Sequence, residues 1–202
     1  MVKVSAIVLA AGLSQRMAGG KKLFLKYGSR TILEEVLYQL SKSDVDEVII
    51  VVNELSIHDI NQIVSRDYQN YRVIENYHYK LGMTSSIQVG VSAIGEDTSG
   101  YMICLADMPK IDSSVYRNLT SAFRHYYAND SKVILAPTHH GAKGNPVIFS
   151  NSYRNDILEH QEMEGCKSII MDNSGYLKRL EVGSDGVLLD IDTPENYDSL
   201  KA

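Results

Sequence analysis

The feature that most constrains the fold is a regular alternation of short apolar runs with longer amphipathic runs. Val4–Ala10 and residues 47–53 are almost wholly apolar, which is typical of strands buried on both faces. Between them, residues 31–42 carry apolar side chains at helical spacing, and Thr31 can cap this helix together with Glu34. Strands that alternate with helices predict a parallel sheet covered by helices on both faces.

The same pattern extends over the rest of the chain. Further strands are predicted at residues 71–75, 101–106, 132–136, 146–149 and 187–190, and further helices near 56–68, 84–94, 113–127, 151–161, 165–172 and 195–200. Residues 137–146 are the least regular part and are predicted to form a loop over the site. Because no repeat, low-complexity tract or linker divides the chain, residues 1–202 are predicted to form one domain.

Composition narrows the class of partner. The formal net charge of −5 argues against nucleic acid, whose binders usually carry a basic face, but it leaves a nucleotide substrate open. Cys104 and Cys166 are not in a CxxC spacing, which excludes a cysteine zinc cluster and suits a reducing cytosol. No run approaches the roughly 18 apolar residues that a membrane helix needs. The sequence therefore predicts a soluble, cytoplasmic protein without a membrane or nucleic-acid partner.

Small residues and cations directly follow the first predicted strand. Ala10, Ala11 and Gly12 let the backbone approach a ligand closely, and Arg16 with a lysine adds fixed positive charge. Backbone N–H groups in such a turn can bind phosphates. A glycine-rich turn with solvated cations is the alternative, but the placement directly after a buried strand favours a phosphate site.

Carboxylates follow two other predicted strands. Asp107 stands after residues 101–106 and before Met-Pro, so its side chain is expected at the carboxyl end of a strand. Asp190 and Asp192 follow the candidate strand at residues 187–190. Carboxylate oxygens are the ligands that Mg²⁺ prefers, although an aspartate alone is as common in turns and at helix starts.

Five short motifs carry a resemblance to a known family. Residues 9–17 resemble LAAGxSxRM, residues 82–90 resemble GxxxSxxxG, and residues 107–109 resemble the metal-binding DMP turn. Residues 144–147 resemble GHPV, and residues 190–194 resemble DIDTP. In this order and spacing they resemble the MobA-like nucleotidyltransferases, within them the molybdenum cofactor (molybdopterin) cytidylyltransferase branch.

The resemblance implies a fold and an activity. The implied fold class is α/β: a doubly wound, mostly parallel, Rossmann-like sheet in three α/β/α layers. The implied activity is Mg²⁺-dependent transfer of CMP from CTP to molybdopterin with release of pyrophosphate. The N-terminal half would bind the nucleotide and the C-terminal half the acceptor, and a transient contact with an apo molybdenum hydroxylase is also implied.

The resemblance also implies roles for individual residues. The catalytic residues would be Arg16, Lys22 and Asp107, and the metal ligands Asp107 and Asp192. The nucleotide-binding residues would be Leu9, Ala10, Ala11, Gly12, Ser14, Arg16, Lys21, Lys22, Gly82, Ser86 and Asp107. The acceptor-binding residues would be Gly144, Asn145, Pro146 and Lys167. The phosphate lysine is Lys22 if one residue is inserted after Met17, and Lys21 by plain counting.

Two departures from the family pattern leave the acceptor open. Asn145 replaces a histidine, and Lys167 replaces an arginine, whose planar fork can bind phosphate in a bidentate way. A sugar or polyol phosphate is therefore a second candidate acceptor. A third hypothesis is a protein that binds the finished cofactor and delivers it to a molybdenum hydroxylase.

Overall fold

The computed structural model of the protein describes residues 1–12, 22–68 and 70–199. The strands in these ranges are β1 (Val4–Ala10), β2 (Lys26–Tyr27), β3 (Arg30–Thr31), β4 (Glu47–Val52), β5 (Arg72–Glu75), β6 (Gly100–Leu105), β7 (Ile134–His139), β8 (Ala142–Lys143), β9 (Val147–Ser150) and β10 (Leu177–Glu181). The α-helices are α1 (Ile32–Ser41), α2 (Ile57–Asp67), α3 (Met83–Ala93), α4 (Ser113–Asn129), α5 (Arg154–Leu158), α6 (Lys167–Asp172) and α7 (Pro194–Ser199). None of the helices in the described ranges is long and apolar enough to cross a membrane.

The main sheet has the strand order β10-β7-β9-β6-β1-β4-β5, with β8 paired to β7. Strand β1 lies near the middle and pairs in parallel with β4 and β6, and β5 continues in parallel beyond β4. Strand β9 is antiparallel to both β6 and β7, whereas β10 is parallel to β7. The mostly parallel, doubly wound sheet is confirmed.

Helices cover both faces of this sheet and create two cores. On one face, the buried alanine and valine side chains of β1 pack with residues such as Leu37 of α1 and Phe123 of α4. On the other face, Ile7 packs with residues such as Val91 of α3 and Ile157 of α5. This arrangement is the three-layer α/β/α architecture that the alternating pattern predicts.

Local signals explain where the well-predicted helices begin. The Thr31 side chain accepts a hydrogen bond from the Glu34 N–H, and the Glu34 carboxylate accepts one from the Thr31 N–H, so the predicted capping box is present. Asp112 caps α4 in a related way, because its carboxylate accepts from the Ser114 and Val115 N–H groups. These bonds satisfy N–H groups that have no partner within their helix.

Two predicted elements are wrong. The candidate strand at residues 187–190 is instead the end of a 3-10 helix, Asp185–Leu188, followed by an irregular segment. The outermost strand of the sheet next to β7 is instead Leu177–Glu181, an exposed strand that lacks a continuous apolar run. The predicted loop at 137–146 is largely a hairpin, because β7 continues to His139 and turns back into Ala142–Lys143.

Helix α3 lies so close to β1 that only glycine fits at one contact. A Cβ atom on Gly90 would lie 2.4 Å from Cγ2 of Ile7, a fully buried residue. We expect Gly90→Val to lower the free energy of unfolding by about 1–3 kcal/mol through overpacking. Urea unfolding measures the change, with Ser92→Val on the exposed side of α3 as the control. An equal loss in both variants would show that a valine in this helix, and not the contact with Ile7, is responsible.

Candidate functional site

Polar residues collect at the edge of the sheet where the parallel strands end. Ala11 and Gly12 follow β1, Asn53 follows β4, Asn76 follows β5 and Asp107 lies just beyond β6. Of these residues, Ala11, Gly12 and Asp107 line a cavity of about 470 Å³. Its described lining residues are Leu9, Ala10, Ala11, Gly12, Lys22, Leu23, Tyr79, Lys80, Gly82, Met83, Ser86, Leu105, Asp107, Asp190 and Asp192. Ligands of open α/β sheets bind at this edge.

One buried lysine joins two carboxylates at the base of this cavity. Lys22 begins a 3-10 helix, Lys22–Phe24, and is 7% exposed. Its Nζ lies 2.6 Å from Oδ2 of Asp107 and 3.1 Å from Oδ1 of Asp192. Three residues that the sequence assigns to phosphate or metal binding therefore meet at one point, although 170 positions separate Lys22 from Asp192.

Backbone contacts carry Asp192 to this point, where a strand was expected. The Ile191 N–H donates to the Asp107 carbonyl at 3.1 Å, and the Ile191 side chain is fully buried. Upstream, Gly186 lies directly against the chain at Lys110, since a Cβ atom there would be 2.4 Å from the Lys110 carbonyl oxygen. The segment that bears Asp190 and Asp192 is thus fixed to the turn that bears Asp107.

Burial and neighbouring negative charges both oppose ionisation of the Asp107 carboxyl group. Burial raises its pKa above the usual value, and the nearby charges of Asp190 and Asp192 raise it further, while Lys22 acts in the opposite direction. Burial and like charge both disfavour the ionised carboxylate, so the site needs a cation close by. Lys22 supplies that charge in this structure.

The same carboxylates suit a divalent cation that arrives with a phosphate ligand. Mg²⁺ is usually held by one or two carboxylates together with waters and substrate phosphates. Asp107 and Asp192 present oxygen atoms to one cavity, which fits this mode. Within the described ranges, no group of three or more histidine, cysteine, aspartate or glutamate residues could hold a metal by itself.

An asparagine that the sequence analysis missed holds the loop after β1. Asn53 is 3% exposed, and its Nδ2 donates to the Ala11 carbonyl at 2.8 Å. Its Oδ1 accepts from the N–H groups of Leu55 and Ser56. Asn53 therefore fixes the backbone at the cavity wall, and its position directly after a buried strand is the signal that could have identified it.

A second missed asparagine performs the same task for α3. Asn76 is fully buried, and its Nδ2 lies 2.9 Å from Oγ of Ser85 and 3.0 Å from Oγ of Ser86. Its Oδ1 accepts from the His78 N–H. Ser86, a predicted nucleotide-binding residue, is thereby oriented at the cavity.

The predicted acceptor residues lie apart from the described lining of the cavity. A Cβ atom on Gly144 would lie 2.3 Å from the Val187 carbonyl oxygen, which the Asn145 N–H contacts as donor at 2.9 Å. The Asn145–Pro146 peptide bond is cis. These residues pack against the segment that leads to Asp192, so the structure gives them a supporting position beside the site.

Lys167 belongs to a separate group of cations. It begins α6, is exposed, and its Nζ lies 3.3 Å from Oε2 of Glu164. Partial burial lowers the pKa of Lys143, and the positive charges of Lys167 and Arg179 lower it further. The positive charges of Lys143, Lys167 and Arg179 thus act on one another, with Lys167 at the start of α6.

Three predicted site residues, Ser14, Arg16 and Lys21, lie outside the described residues. The other predicted nucleotide-binding residues all line the cavity: Leu9, Ala10, Ala11, Gly12, Lys22, Gly82, Ser86 and Asp107. The structure therefore brings together the described part of the predicted nucleotide site.

Two known proteins are similar in sequence to this chain over nearly its full length. The chain is 26% identical over 205 residues to the molybdenum cofactor cytidylyltransferase of Escherichia coli, covering 100% of this chain and 97% of that protein. It is 22% identical over 201 residues to the nicotine blue oxidoreductase of Paenarthrobacter nicotinovorans, covering 95% and 93%.

Solved structures show the same fold. Rv0371c from Mycobacterium tuberculosis superposes with a TM-score of 0.80 at 20% identity, covering 100% of both chains. Its complex with manganese gives 0.77 at 20% identity, covering 98% of this chain and 97% of that one.

The description of the family model that matches residues 6–178 is MobA-like NTP transferase domain. This match spans most of the chain and includes residues 6–10 of β1, Lys22 and Asp107. The chain belongs to the MobA-like NTP transferase family and is an enzyme of the nucleotidyltransferase type.

Proposed function

We propose that this enzyme transfers CMP from CTP to molybdopterin, releasing pyrophosphate and forming the molybdopterin cytosine dinucleotide cofactor. The observation that carries the proposal is the meeting of Lys22, Asp107 and Asp192 at the cavity beyond β1 and β6. This set of charges suits triphosphate chemistry. The full-length similarity to a molybdenum cofactor cytidylyltransferase supports the choice of nucleotide and acceptor.

The reaction needs alignment and charge neutralisation more than covalent help. A terminal phosphate oxygen of molybdopterin forms a bond to the α-phosphorus of CTP, and the bond from that phosphorus to the bridging oxygen of the β-phosphate breaks. A phosphate monoester is already largely anionic near neutral pH, its second pKa being about 6, so no general base is required. Preorganised positive charge stabilises the transition state.

The chain's own residues would divide this work. Ala11 and Gly12 let the backbone approach the nucleotide, and Asn53 holds that backbone in place. Lys22 would bind phosphate oxygens, and Arg16 would stabilise the departing pyrophosphate. Asp107 and Asp192 would hold Mg²⁺, which supplies charge neutralisation at the phosphates when bound.

The two halves of the chain would have different tasks within one domain. Strands β1 and β6 contribute lining residues to the cavity, and the C-terminal half of the chain contributes β7 to β10 to the sheet. The segment 162–165 links the halves, because the Gly165 N–H donates to Oγ1 of Thr84 at 3.0 Å and Thr84 donates to the Glu162 carbonyl. The acceptor would therefore bind beside α6, close to the first turn of α3. A transient contact with an apo molybdenum hydroxylase belongs to the same proposal.

A second candidate changes only the acceptor. Gly144 and Asn145 pack against Val187 instead of lining the cavity, and the cations beside α6 are exposed. Such a surface suits a small sugar or polyol phosphate as well as molybdopterin. One similar protein is named as an oxidoreductase, whereas the charges of Lys22, Asp107 and Asp192 favour phosphate chemistry at this site.

Pyrophosphate release with Mg²⁺ tests the proposal, using each of the four nucleoside triphosphates with and without molybdopterin. We expect turnover with CTP and molybdopterin together, and a loss of about 10²- to 10³-fold in kcat for Asp107→Asn. Asp97→Asn is the matched control, because Asp97 is an exposed aspartate paired with Lys3 at the opposite edge of the sheet. Turnover with a sugar or polyol phosphate but not with molybdopterin would select the second candidate. Tight binding of the finished cofactor without turnover, unaffected by Asp107→Asn, would favour a carrier protein.

The role of Asn53 is tested by Asn53→Asp, which preserves shape but removes the donor to the Ala11 carbonyl. We expect the free energy of unfolding to fall by about 1–3 kcal/mol and CTP to bind about ten-fold more weakly. Asn151→Asp is the control, because Asn151 donates to the Thr98 carbonyl at 3.0 Å at the opposite edge. Urea unfolding and CTP titration should show a stability loss in both variants and an affinity loss only at position 53. Unchanged CTP affinity in Asn53→Asp would contradict the role.

The acceptor side is tested by Lys167→Met. Because Lys167 is exposed, we expect the KM for the acceptor to rise by only about five-fold, with the KM for CTP unchanged. Steady-state kinetics with each substrate varied in turn measures both. Lys132→Met provides a control far from the site, beside the rings of Tyr153 and Tyr176. A rise in the KM for CTP instead would place Lys167 at the nucleotide.

A further inference from the structure

The Lys22 ammonium lies where a divalent cation would have to bind. Its Nζ contacts Oδ2 of Asp107 and Oδ1 of Asp192 at 2.6 and 3.1 Å. A Mg²⁺ ion bonds such oxygens at about 2.0–2.1 Å, so an ion held by both carboxylates lies between them. The ammonium and the ion cannot share that space.

The two carboxylates favour a cation at the position between them. The side chains of Lys22, Asp107 and Asp192 are 9%, 18% and 30% exposed, so water screens their charges only in part. Asp190 lines the same cavity and adds a further negative charge. Removal of a close partner from a partly buried charge is costly, so exchange of the ammonium for another cation costs less than its loss without replacement.

Lys22 is built to move at its side chain while its backbone stays in place. The Leu25 N–H donates to the Lys22 carbonyl at 3.1 Å, and the neighbouring Leu23 is buried. A lysine side chain is a point charge on a flexible four-carbon stem. The adjoining cavity offers space for the displaced ammonium and for the phosphates that would receive it.

We propose that Lys22 is an exchangeable counter-ion: it holds Asp107 and Asp192 until a divalent cation displaces it, and it then binds the nucleotide phosphates. The inference deepens the proposed nucleotidyl transfer and rests on it for the identity of the incoming ligands. Metal alone binds weakly, because it must displace a lysine that has no new partner. Metal and nucleotide together bind well, because the phosphates receive the displaced ammonium, and this coupling is reciprocal.

The test measures Mn²⁺ binding without nucleotide, by the electron paramagnetic resonance signal of the free ion at pH 8. We expect Lys22→Met to bind Mn²⁺ about ten-fold more tightly than the unaltered protein, because the competing cation is gone. Lys22→Arg, which keeps the charge, should stay weak. The double variant K22M/D192N should lose the gain, which ties the signal to this pair of carboxylates.

Lys80→Met is the matched control for general electrostatics. Lys80 lines the same cavity, but its Nζ lies 5.5 Å from the centre of the Tyr79 ring. Its removal takes away the same charge without removing the contact with Asp107 and Asp192, so Mn²⁺ affinity should change much less. An equal gain in Lys80→Met, or no gain in Lys22→Met, would overturn the proposal.

A second measurement uses the unaltered protein and does not depend on the folding of a variant. Acetic anhydride labels lysine amines, and mass spectrometry with fragmentation distinguishes Lys22 from the adjacent Lys21. We expect saturating Mn²⁺ to raise the labelling of Lys22 relative to Lys80, because the ammonium leaves its two carboxylates. Unchanged labelling with Mn²⁺ bound would contradict the exchange.

Tighter Mn²⁺ binding by Lys22→Met without nucleotidyl transfer to any acceptor would refute the proposed function alone, whereas transfer without that gain would refute the exchange alone.

Discussion

Strand β1 pairs in parallel with β4 on one side and with β6 on the other, so that these strands end together at one edge of the sheet. Asn53, Asn76 and Asp107 all lie at this edge, because each follows the end of a strand. The interiors of β1, β4 and β6 are almost fully buried and carry no charged side chains. Polar and charged side chains are therefore found beyond the ends of these strands. The two asparagines that follow β4 and β5 then convert this geometry into fixed positions for the loop after β1 and for α3.

Negative and positive side chains lie close together at this edge of the sheet. Three aspartates adjoin one cavity, and the ammonium of Lys22 reaches two of them directly. A protein that served only as a scaffold would gain more from apolar side chains at such a place, because partly buried ion pairs contribute little net stability. Retaining these charges is consistent with a site whose anions and cations are meant for an exchangeable ligand.

The sequence carried enough information for the centre of the sheet and for the residues of β1 and β6 that adjoin the cavity. A continuous apolar run followed by small residues predicted β1 and its loop, and Asp107 after another such run was placed correctly. The approach to Asp192 was missed, because Val187 and Ile191 give the segment the apolar character of a strand although they serve as buried anchors in an irregular chain. Asn53 and Asn76 stand directly after strands, which marks them as candidates, but their contacts with Ala11 and with Ser86 become visible only in the fold.

The hydrogen bond from the Ile191 N–H to the Asp107 carbonyl joins two distant parts of the chain, which bears on when the site forms during folding. Lys22 and Asp107 come before Asp192 in the chain, and 170 positions separate Lys22 from Asp192. Contacts between such distant positions form late, because chain closure must be achieved before they contribute. During synthesis, a nascent chain that has already built β1, β4 and β6 still lacks the complete acid pair. The pair of Asp107 and Asp192 therefore assembles only after the segment around Ile191 has been synthesised and has docked against the Asp107 carbonyl.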